Sequence, residues 1–461
     1  MPNSGRPAPT EPEASGIDRG RDVGRGFRNT TPGWAAVARL EPRCDRIASM
    51  SAQQLRVGAW QRACAPAWVL TAEDPCSARS RYAENMSRAV QSLVAGYVRT
   101  EREAAGVIMQ LLPSLTHCDS LSFDLWEEGI AYLIWHFVDR YHRIQHVLDL
   151  LMAEGHLPIR HEQVTMLEVG SGPAPATFAV ADYYASFDTW CRENAQPYAP
   201  GAVFPATLDQ GPIWGRLIHH LSEGTLRPGV DQRPHRIFGT DYVDLRTYSP
   251  WTVHNAWQEA LGREIQSEWD ADGIWVSVAA ARREAWTFRG GPPSKFDLIV
   301  IANFLTNEEM TENFADKIDE LASSLTPGGI LVFLGGIGEP YPRIWDRVDH
   351  CRHVARLKPV LDVRASAHSN EETARLRVAT ATVTALQRLR DLAPLDFADV
   401  SNLLPRDVVT EEAGQIVFPS YRIKAFKREG PKNFSTRELR RGRLRQRETR
   451  LTSHDDHPLI E

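Results

Sequence analysis

One short stretch of this chain limits its fold more than any other: the run from Val164 to Phe178, VTMLEVGSGPAPATF. Its first residues favour a β-strand, two glycines follow one residue apart, and the residues after them favour a helix. Glycine lets the backbone turn tightly and approach a ligand without interference from a Cβ atom. The stretch therefore predicts a strand, a tight turn and a helix, which is the first unit of an α/β fold.

Strand-like and helical segments alternate through residues 159–429. This alternation predicts a doubly wound, Rossmann-like α/β sheet. The preceding residues, 56–158, have helical periodicity and predict an α-helical domain. Within it we expect helices at 82–97, 101–112, 123–137 and 139–154, the second of them ended by Pro113.

The two ends of the chain differ in composition from the rest. Residues 1–55 are rich in proline, glycine and arginine, and residues 430–461 form an arginine-rich polar tail. Neither end has hydrophobic periodicity, and both are therefore predicted to be disordered.

Overall composition narrows the class of protein. The hydrophobic content of 42% and charged content of 24% are typical of a soluble globular protein, and the net charge of −6 does not favour nucleic acid or an anionic membrane. No apolar run approaches the length of a membrane span, and the first residues lack the apolar core of a secretory signal. The six cysteines are scattered, so we expect no metal site and a cytoplasmic location.

The glycine turn does not have the pattern of a dinucleotide site. Such sites usually carry a third glycine, where the pyrophosphate meets the start of the helix, but this chain has Pro175 there. An acid, Glu168, stands two residues before Gly170, where it would be an unfavourable neighbour for a phosphate. It would suit a cationic ligand such as S-adenosylmethionine (SAM), which carries an ammonium group and a positive sulfonium.

Three segments together resemble the class I SAM-dependent methyltransferases. Glu168-Val-Gly170-Ser-Gly172 is similar to the first motif of that superfamily, Lys295–Thr306 to its fourth strand and Leu325–Leu334 to its fifth. A further segment, Ile416–Phe426, is similar to the antiparallel edge strand of the fold, where Pro419 would be tolerated. The resemblance implies a methyltransferase sheet, SAM as the cofactor, and a set of cofactor-binding residues: Glu168, Gly170, Ser171, Gly172, Asn303 and Phe304.

The resemblance also implies an acid at the end of the second strand that binds the ribose hydroxyls, and two registers compete for it. One has the second strand at Val203–Asp209 and the third at Arg236–Asp241, which makes Asp209 the ligand. The other has the second strand at Arg236–Asp241 and the third at Ile274–Ala280. Pro205 would interrupt a central strand in the first register. We therefore favour the second, with Asp241 binding the ribose and Tyr242 lying against the adenine.

The acceptor of the methyl group is harder to predict. A helical domain ahead of the first motif commonly covers the cleft in small-molecule methyltransferases, and a small organic acceptor is the favoured prediction. Tryptophans such as Trp214 could form the floor of a pocket for a planar substrate, or simply pack in the core. Two alternatives remain open: an RNA- or ribosome-associated methyltransferase-like factor that uses the arginine-rich tail, and a non-catalytic scaffold. Sequence alone assigns neither a catalytic base nor an oligomeric state.

Overall fold

The computed structural model describes residues 41–160, 163–225, 240–242, 294–351, 353–365, 372–404 and 419–430. Contacts divide the chain into two compact units, Met1–Ile47 and Ala48–Glu461, and the second contains the sheet. None of the helices in the described ranges is both long and apolar enough to cross a membrane.

Among the described residues, seven strands form one sheet in the order β3-β2-β1-β4-β5-β7-β6. The strands are β1 (Gln163–Val169), β2 (Ala202–Asp209), β3 (Thr240–Tyr242), β4 (Phe296–Ala302), β5 (Leu325–Gly335), β6 (Lys358–Ala365) and β7 (Tyr421–Lys427). Strands β1 to β5 are mutually parallel, whereas β7 is antiparallel to both of its neighbours. The predicted doubly wound, Rossmann-like sheet is confirmed.

Helices precede the sheet and connect its strands. Those before β1 are α1 (Glu41–Val69), α2 (Ala78–Tyr97), α3 (Glu101–Thr116), α4 (Trp126–Tyr132) and α5 (Val138–Ala153), with a π-helical turn at Leu133–Phe137 between the last two. Those after β1 are α6 (Pro175–Glu193), α7 (Trp214–Thr225), α8 (Glu308–Asn313), α9 (Ala315–Ser323), α10 (Tyr341–His350), α11 (Glu372–Leu392) and α12 (Pro394–Ser401).

The two faces of the sheet belong to two hydrophobic clusters. Alternate residues of the central strands point to opposite faces, so Met166 and Leu298 join one cluster while Leu167 and Ile299 join the other. The first cluster also contains buried side chains of α1 to α5. The helices that precede β1 and the sheet therefore share one hydrophobic core.

Several predicted helix bounds are wrong. Helix α1 begins at Glu41, inside the segment predicted to be disordered, and Pro42 is tolerated in its first turn, where a missing N–H costs no bond. Pro113 does not end α3, which continues to Thr116. Only one hydrogen bond is lost there, since proline lacks the donor, and the residue that would accept it, Met109, is exposed to water.

The favoured assignment of the second strand is also wrong. Strand β2 is Ala202–Asp209 and pairs with β1 along its length, and Asp241 lies on β3. Pro205 is tolerated because, among the described residues, β3 pairs only with Thr207 to Asp209, beyond the proline. The missing donor therefore removes no bond between β2 and the described part of β3. Ile274–Ala280, the other candidate strand, lies outside the described residues.

The segment predicted as an edge strand is antiparallel but is not at the edge. Strand β7 lies between β5 and β6, and β6 is the outer strand. Pro419 precedes the first residue of β7, so it removes no bond from either ladder. The backbone carbonyl of Pro419 accepts a hydrogen bond of 3.0 Å from Arg143 Nη2 on α5.

Candidate cofactor cleft

A cleft of about 350 Å³ opens at the carboxyl ends of three neighbouring strands. Gly170 follows β1, Asp209 ends β2 and Asn303 follows β4, and all three residues line the cleft. Strand β1 is the point where the strand order reverses, with β2 on one side and β4 on the other. Ligands of open α/β sheets bind in the crevice at such a point, so this cleft is the candidate functional site.

The glycine turn after β1 has a backbone that only small residues adopt easily. Gly170 and Gly172 have φ angles of +62° and +52°. A Cβ atom on Gly170 would lie 2.3 Å from Cδ2 of Phe304, whereas one on Gly172 would meet nothing closer than Cε1 of Tyr132 at 3.5 Å. A side chain at Gly170 would therefore displace the aromatic wall of the cleft.

Glu168 is buried behind this turn and holds the start of α6. Its carboxylate accepts hydrogen bonds from the backbone N–H groups of Ala176 (3.1 Å) and Thr177 (2.7 Å). Ala174, the residue before the helix, provides no side-chain cap, so the acid serves in its place. Burial raises the pKa of Glu168 to about 7, against the lowering effect of these bonds. Glu168 is not among the described residues that line the cleft, and its contact with a cationic ligand stays a prediction.

Asp209 takes the position at the end of β2 that the favoured register gave to Asp241. Its two carboxylate oxygens accept bonds from Gly172 N (2.7 Å) and Gly211 N (2.9 Å). Burial raises the pKa of this carboxyl, and the hydrogen bonds from Gly211 and Gly172 oppose the rise. Each oxygen has a second lone pair, so the carboxylate can accept two further hydrogen bonds from a ligand.

Arg140 contributes a cation to the cleft from the helical segment. Its guanidinium donates a hydrogen bond to the Tyr132 hydroxyl and lies 4.9 Å from the centre of that ring. Burial lowers its pKa to about 10, which leaves it protonated at neutral pH. Among the described residues no carboxylate forms an ion pair with it.

The π-helical turn explains how Tyr132 and Arg140 meet. In an unbroken α-helix, side chains eight residues apart point roughly 80° away from each other. The π-turn at 133–137 inserts about one extra residue, which brings the two side chains to within roughly 20° of the same face. Helices predicted separately at 123–137 and 139–154 are thus one helix with this insertion, beginning at Trp126.

Aromatic side chains form much of the remaining wall. Phe123 precedes α4, Tyr132 lies on α4 and Trp214 lies on α7. Phe304 follows β4, and Phe314 lies between α8 and α9. Phe123 and Trp214 are in contact, with ring centroids 4.6 Å apart. The helical segment ahead of β1 therefore supplies part of the cleft, as expected for a cover over a cofactor site.

The structure brings together most of the residues predicted to bind the cofactor. Gly170, Gly172, Asn303 and Phe304 line the cleft, and Ser171 is buried within the turn. Asp241 and Tyr242 lie on β3, where Tyr242 is paired in register with Asp209. Sequence reasoning missed the cleft residues of the helical segment, Tyr132 and Arg140 foremost. The sequence signal available for Arg140 was its position one turn before Ile144, in line with the apolar stripe of α5.

The sheet order, the glycine turn and the cleft at the strand ends together define a doubly wound α/β fold with a ligand crevice where the strand order reverses. A comparison with protein-family models finds no match, and neither does a comparison with curated proteins. Solved structures do match.

The chain is similar to N-methyltransferase NodS from Bradyrhizobium japonicum WM9 in complex with S-adenosyl-L-homocysteine, at 14% identity over 71% of this chain and 100% of that one (TM-score 0.28). It is also similar to a SAM-dependent methyltransferase from Geobacter sulfurreducens in complex with the same compound, at 13% identity over 62% and 90% (TM-score 0.29). A third similar structure is loganic acid methyltransferase, at 7% identity over 64% and 94% (TM-score 0.33).

Proposed function

We propose that this chain is a SAM-dependent methyltransferase that acts on a small organic acceptor, with the cofactor in the cleft at the ends of β1, β2 and β4. The observation that carries the proposal is the set of groups lining this cleft. One crevice is lined by the open backbone of Gly170 and Gly172, by the Asp209 carboxylate and by the Arg140 guanidinium. The carboxylate keeps lone pairs for a ligand, and the guanidinium has no carboxylate partner among the described residues.

These groups fit the chemical parts of SAM. Asp209 would accept hydrogen bonds from the two ribose hydroxyls, and Arg140 would pair with the carboxylate of the methionine part. Gly170 and Gly172 leave the backbone open to close approach, and Glu168 positions the turn through the start of α6. When bound, SAM supplies an electrophilic methyl group on a positive sulfonium.

Methyl transfer is an in-line displacement, so the main task of the protein is to hold nucleophile and methyl group close and aligned. The aromatic side chains along the cleft would exclude water from the reacting atoms. Phe123 and Tyr132 extend the wall beyond the strand ends and would enclose an acceptor beside the cofactor. This arrangement favours an acceptor small enough to lie inside the cleft.

The RNA-associated alternative has less support. RNA affinity depends on several cations facing the phosphate backbone. Arg140 is the sole cationic side chain among the described residues of the cleft, and the arginine-rich tail lies outside the described part of the chain. The scaffold alternative gives no role to the lone pairs that Asp209 keeps for a ligand, or to the charge of Arg140, which pairs with no carboxylate among the described residues.

The test is methyl incorporation from labelled SAM. Full-length protein and a variant lacking 431–461 are incubated with a small-molecule fraction and with total RNA from a cell extract, and Gly170→Arg serves as the blank. We expect label in the small-molecule fraction, with or without the tail. Label found only in RNA, and lost with the tail, would favour the RNA-associated factor, and no label in either fraction would favour the scaffold.

A further inference from the structure

A second cavity lies at the opposite end of the sheet from the cofactor cleft. It has a volume of about 150 Å³ and is bounded by α1, by the loop between α5 and β1, by the start of β5 and by the end of β7. Its polar side chains include His156 and Arg160 of the loop and Lys427 of β7. None of these three residues is among the described residues that line the cofactor cleft.

The polar side chains of this cavity present donors without matching acceptors. Lys427 Nζ lies 3.3 Å from His156 Nδ1, and because an ammonium can only donate, the ring nitrogen accepts. Burial and, after it, the nearby cations lower the pKa of His156 to about 4 and keep the ring neutral, so its remaining proton is on Nε2 and can be donated. Lys427 keeps two further N–H groups for a ligand.

Arg160 adds a fixed guanidinium. Its Nε donates to Asp297 Oδ1 at 2.9 Å, and its Nη2 donates to Thr326 Oγ1 at 3.2 Å and to the Pro327 carbonyl at 2.9 Å. These three bonds hold the group in place and leave Nη1 without a partner among the described residues. No carboxylate is among the described residues that line this cavity.

The local charge is strongly positive. Lys358, Arg160 and Arg62 are the cations that act on Lys427, and Glu429 is the acid that opposes them. Asp297 neutralises Arg160, so about two positive charges remain without compensation. A monovalent carboxylate would neutralise only one of them, whereas a phosphate monoester carries nearly two negative charges at neutral pH and several acceptor oxygens.

We propose that this cavity is a binding site for a small phosphate monoester, with Lys427, His156 and Arg160 as its donors. A cavity of this volume matches a single phosphate group and its first attached atoms rather than a nucleic acid backbone. The site is distinct from the cofactor cleft, because it lies at the amino end of β1 while the cleft lies at the carboxyl end of that strand. The proposal does not depend on the methyltransferase activity.

The test is a calorimetric titration of the full-length protein with inorganic phosphate at constant ionic strength, with sodium chloride and acetate as comparisons. We expect saturable phosphate binding at one site and none with chloride or acetate. Loss of a charge-assisted hydrogen bond typically weakens binding by about 10–150-fold, so Lys427→Gln should do so, and Lys427→Arg should restore most of the affinity. Lys317→Gln on α9, paired with Glu320 at 2.8 Å, is the matched control and should bind as the native chain does.

Two results would overturn the proposal. One is the absence of phosphate binding by the native chain, which needs no variant and so does not depend on the folding of Lys427→Gln. The other is binding that acetate reproduces, or that a short single-stranded RNA reproduces with a steep dependence on salt. Binding that RNA reproduces would identify the cavity as part of a nucleic acid surface.

Discussion

At the scale of single residues, Glu168 shows how a buried motif residue can hold the turn beside the cleft in place. Its carboxylate is buried and caps α6, and its pKa of about 7 stands well above the ordinary value of 4.5. An acid with a raised pKa binds protons more tightly when the chain is folded. Its contribution to stability is therefore present below pH 4.5 and is lost as the pH rises towards 7.

We accordingly expect Glu168→Gln to gain stability relative to the native chain as the pH rises. The difference between their free energies of unfolding should shift by up to about 3 kcal/mol between pH 5 and pH 8, since one pKa unit corresponds to about 1.4 kcal/mol. Urea unfolding at several pH values measures this difference. Glu309→Gln, an exposed site on α8, controls for trends common to the chain. A constant difference for Glu168→Gln would show that the buried carboxyl has an ordinary pKa.

Asp209 and Asp241 offer the second residue-scale prediction. Asp209 lines the cleft and has two lone pairs available for the ribose, so Asp209→Asn should weaken SAM binding by about 10–150-fold. Asp241→Asn, on the neighbouring strand, should bind with nearly native affinity. Calorimetric titration of both variants with SAM shows which aspartate binds the ribose. Weaker binding by Asp241→Asn than by Asp209→Asn would identify Asp241 as the ribose ligand.

At the scale of elements, a buried polar network ties the helical segment to the first crossover helix. Arg79 on α2 pairs with Asp149 on α5 at 2.5 Å, and both side chains are almost fully buried. The other oxygen of Asp149 accepts a 3.0 Å bond from the Tyr183 hydroxyl on α6. That hydroxyl in turn accepts a 2.7 Å bond from the Trp68 indole on α1. Four helices are therefore joined through hydrogen-bonded groups that water does not reach.

Breaking this network at one partner should destabilise the fold strongly. Arg79→Met leaves the Asp149 charge buried without its cation, which typically costs about 3–5 kcal/mol. Arg88→Met, on the same helix, removes an exposed pair with Glu84 and should cost less than about 1 kcal/mol. The free energies of unfolding in urea provide the comparison. Equal losses for the two variants would mean that the network contributes no more than a surface ion pair.

The sequence predicted some elements well and others poorly, for identifiable reasons. β1, β4 and β5 were found because each is a buried apolar run with a local marker: the glycine turn after β1, Phe-Asp at the start of β4 and Pro-Gly-Gly near the start of β5. The second strand was misplaced because we expected a neighbouring strand to pair with the whole of β2, so that Pro205 would remove a hydrogen bond. The described part of β3 pairs only with Thr207 to Asp209, after the proline. The position of β7 between β5 and β6 depends on tertiary pairing, and no local pattern encodes it.

At the scale of the whole molecule, the cleft is assembled from segments far apart in the chain. Arg140 and Gly170 are separated by a loop and a strand, and Asn303 lies a further 133 residues along. The glycine motif identified one wall of the cleft from the sequence. The other wall depends on the packing of the helical segment on the sheet and on the π-turn at Leu133–Phe137, which the residue pattern did not predict.

The central claim is that SAM binds at the glycine turn after β1, and calorimetric titration with SAM tests it most directly. The native chain should bind one equivalent, and Gly170→Arg should abolish binding, since even a Cβ atom there would lie 2.3 Å from the Phe304 ring. Gly96→Ala on α2, where a Cβ atom meets nothing within 4 Å, should bind like the native chain. Native affinity in a folded Gly170→Arg variant, or no binding by the native chain, would contradict the claim.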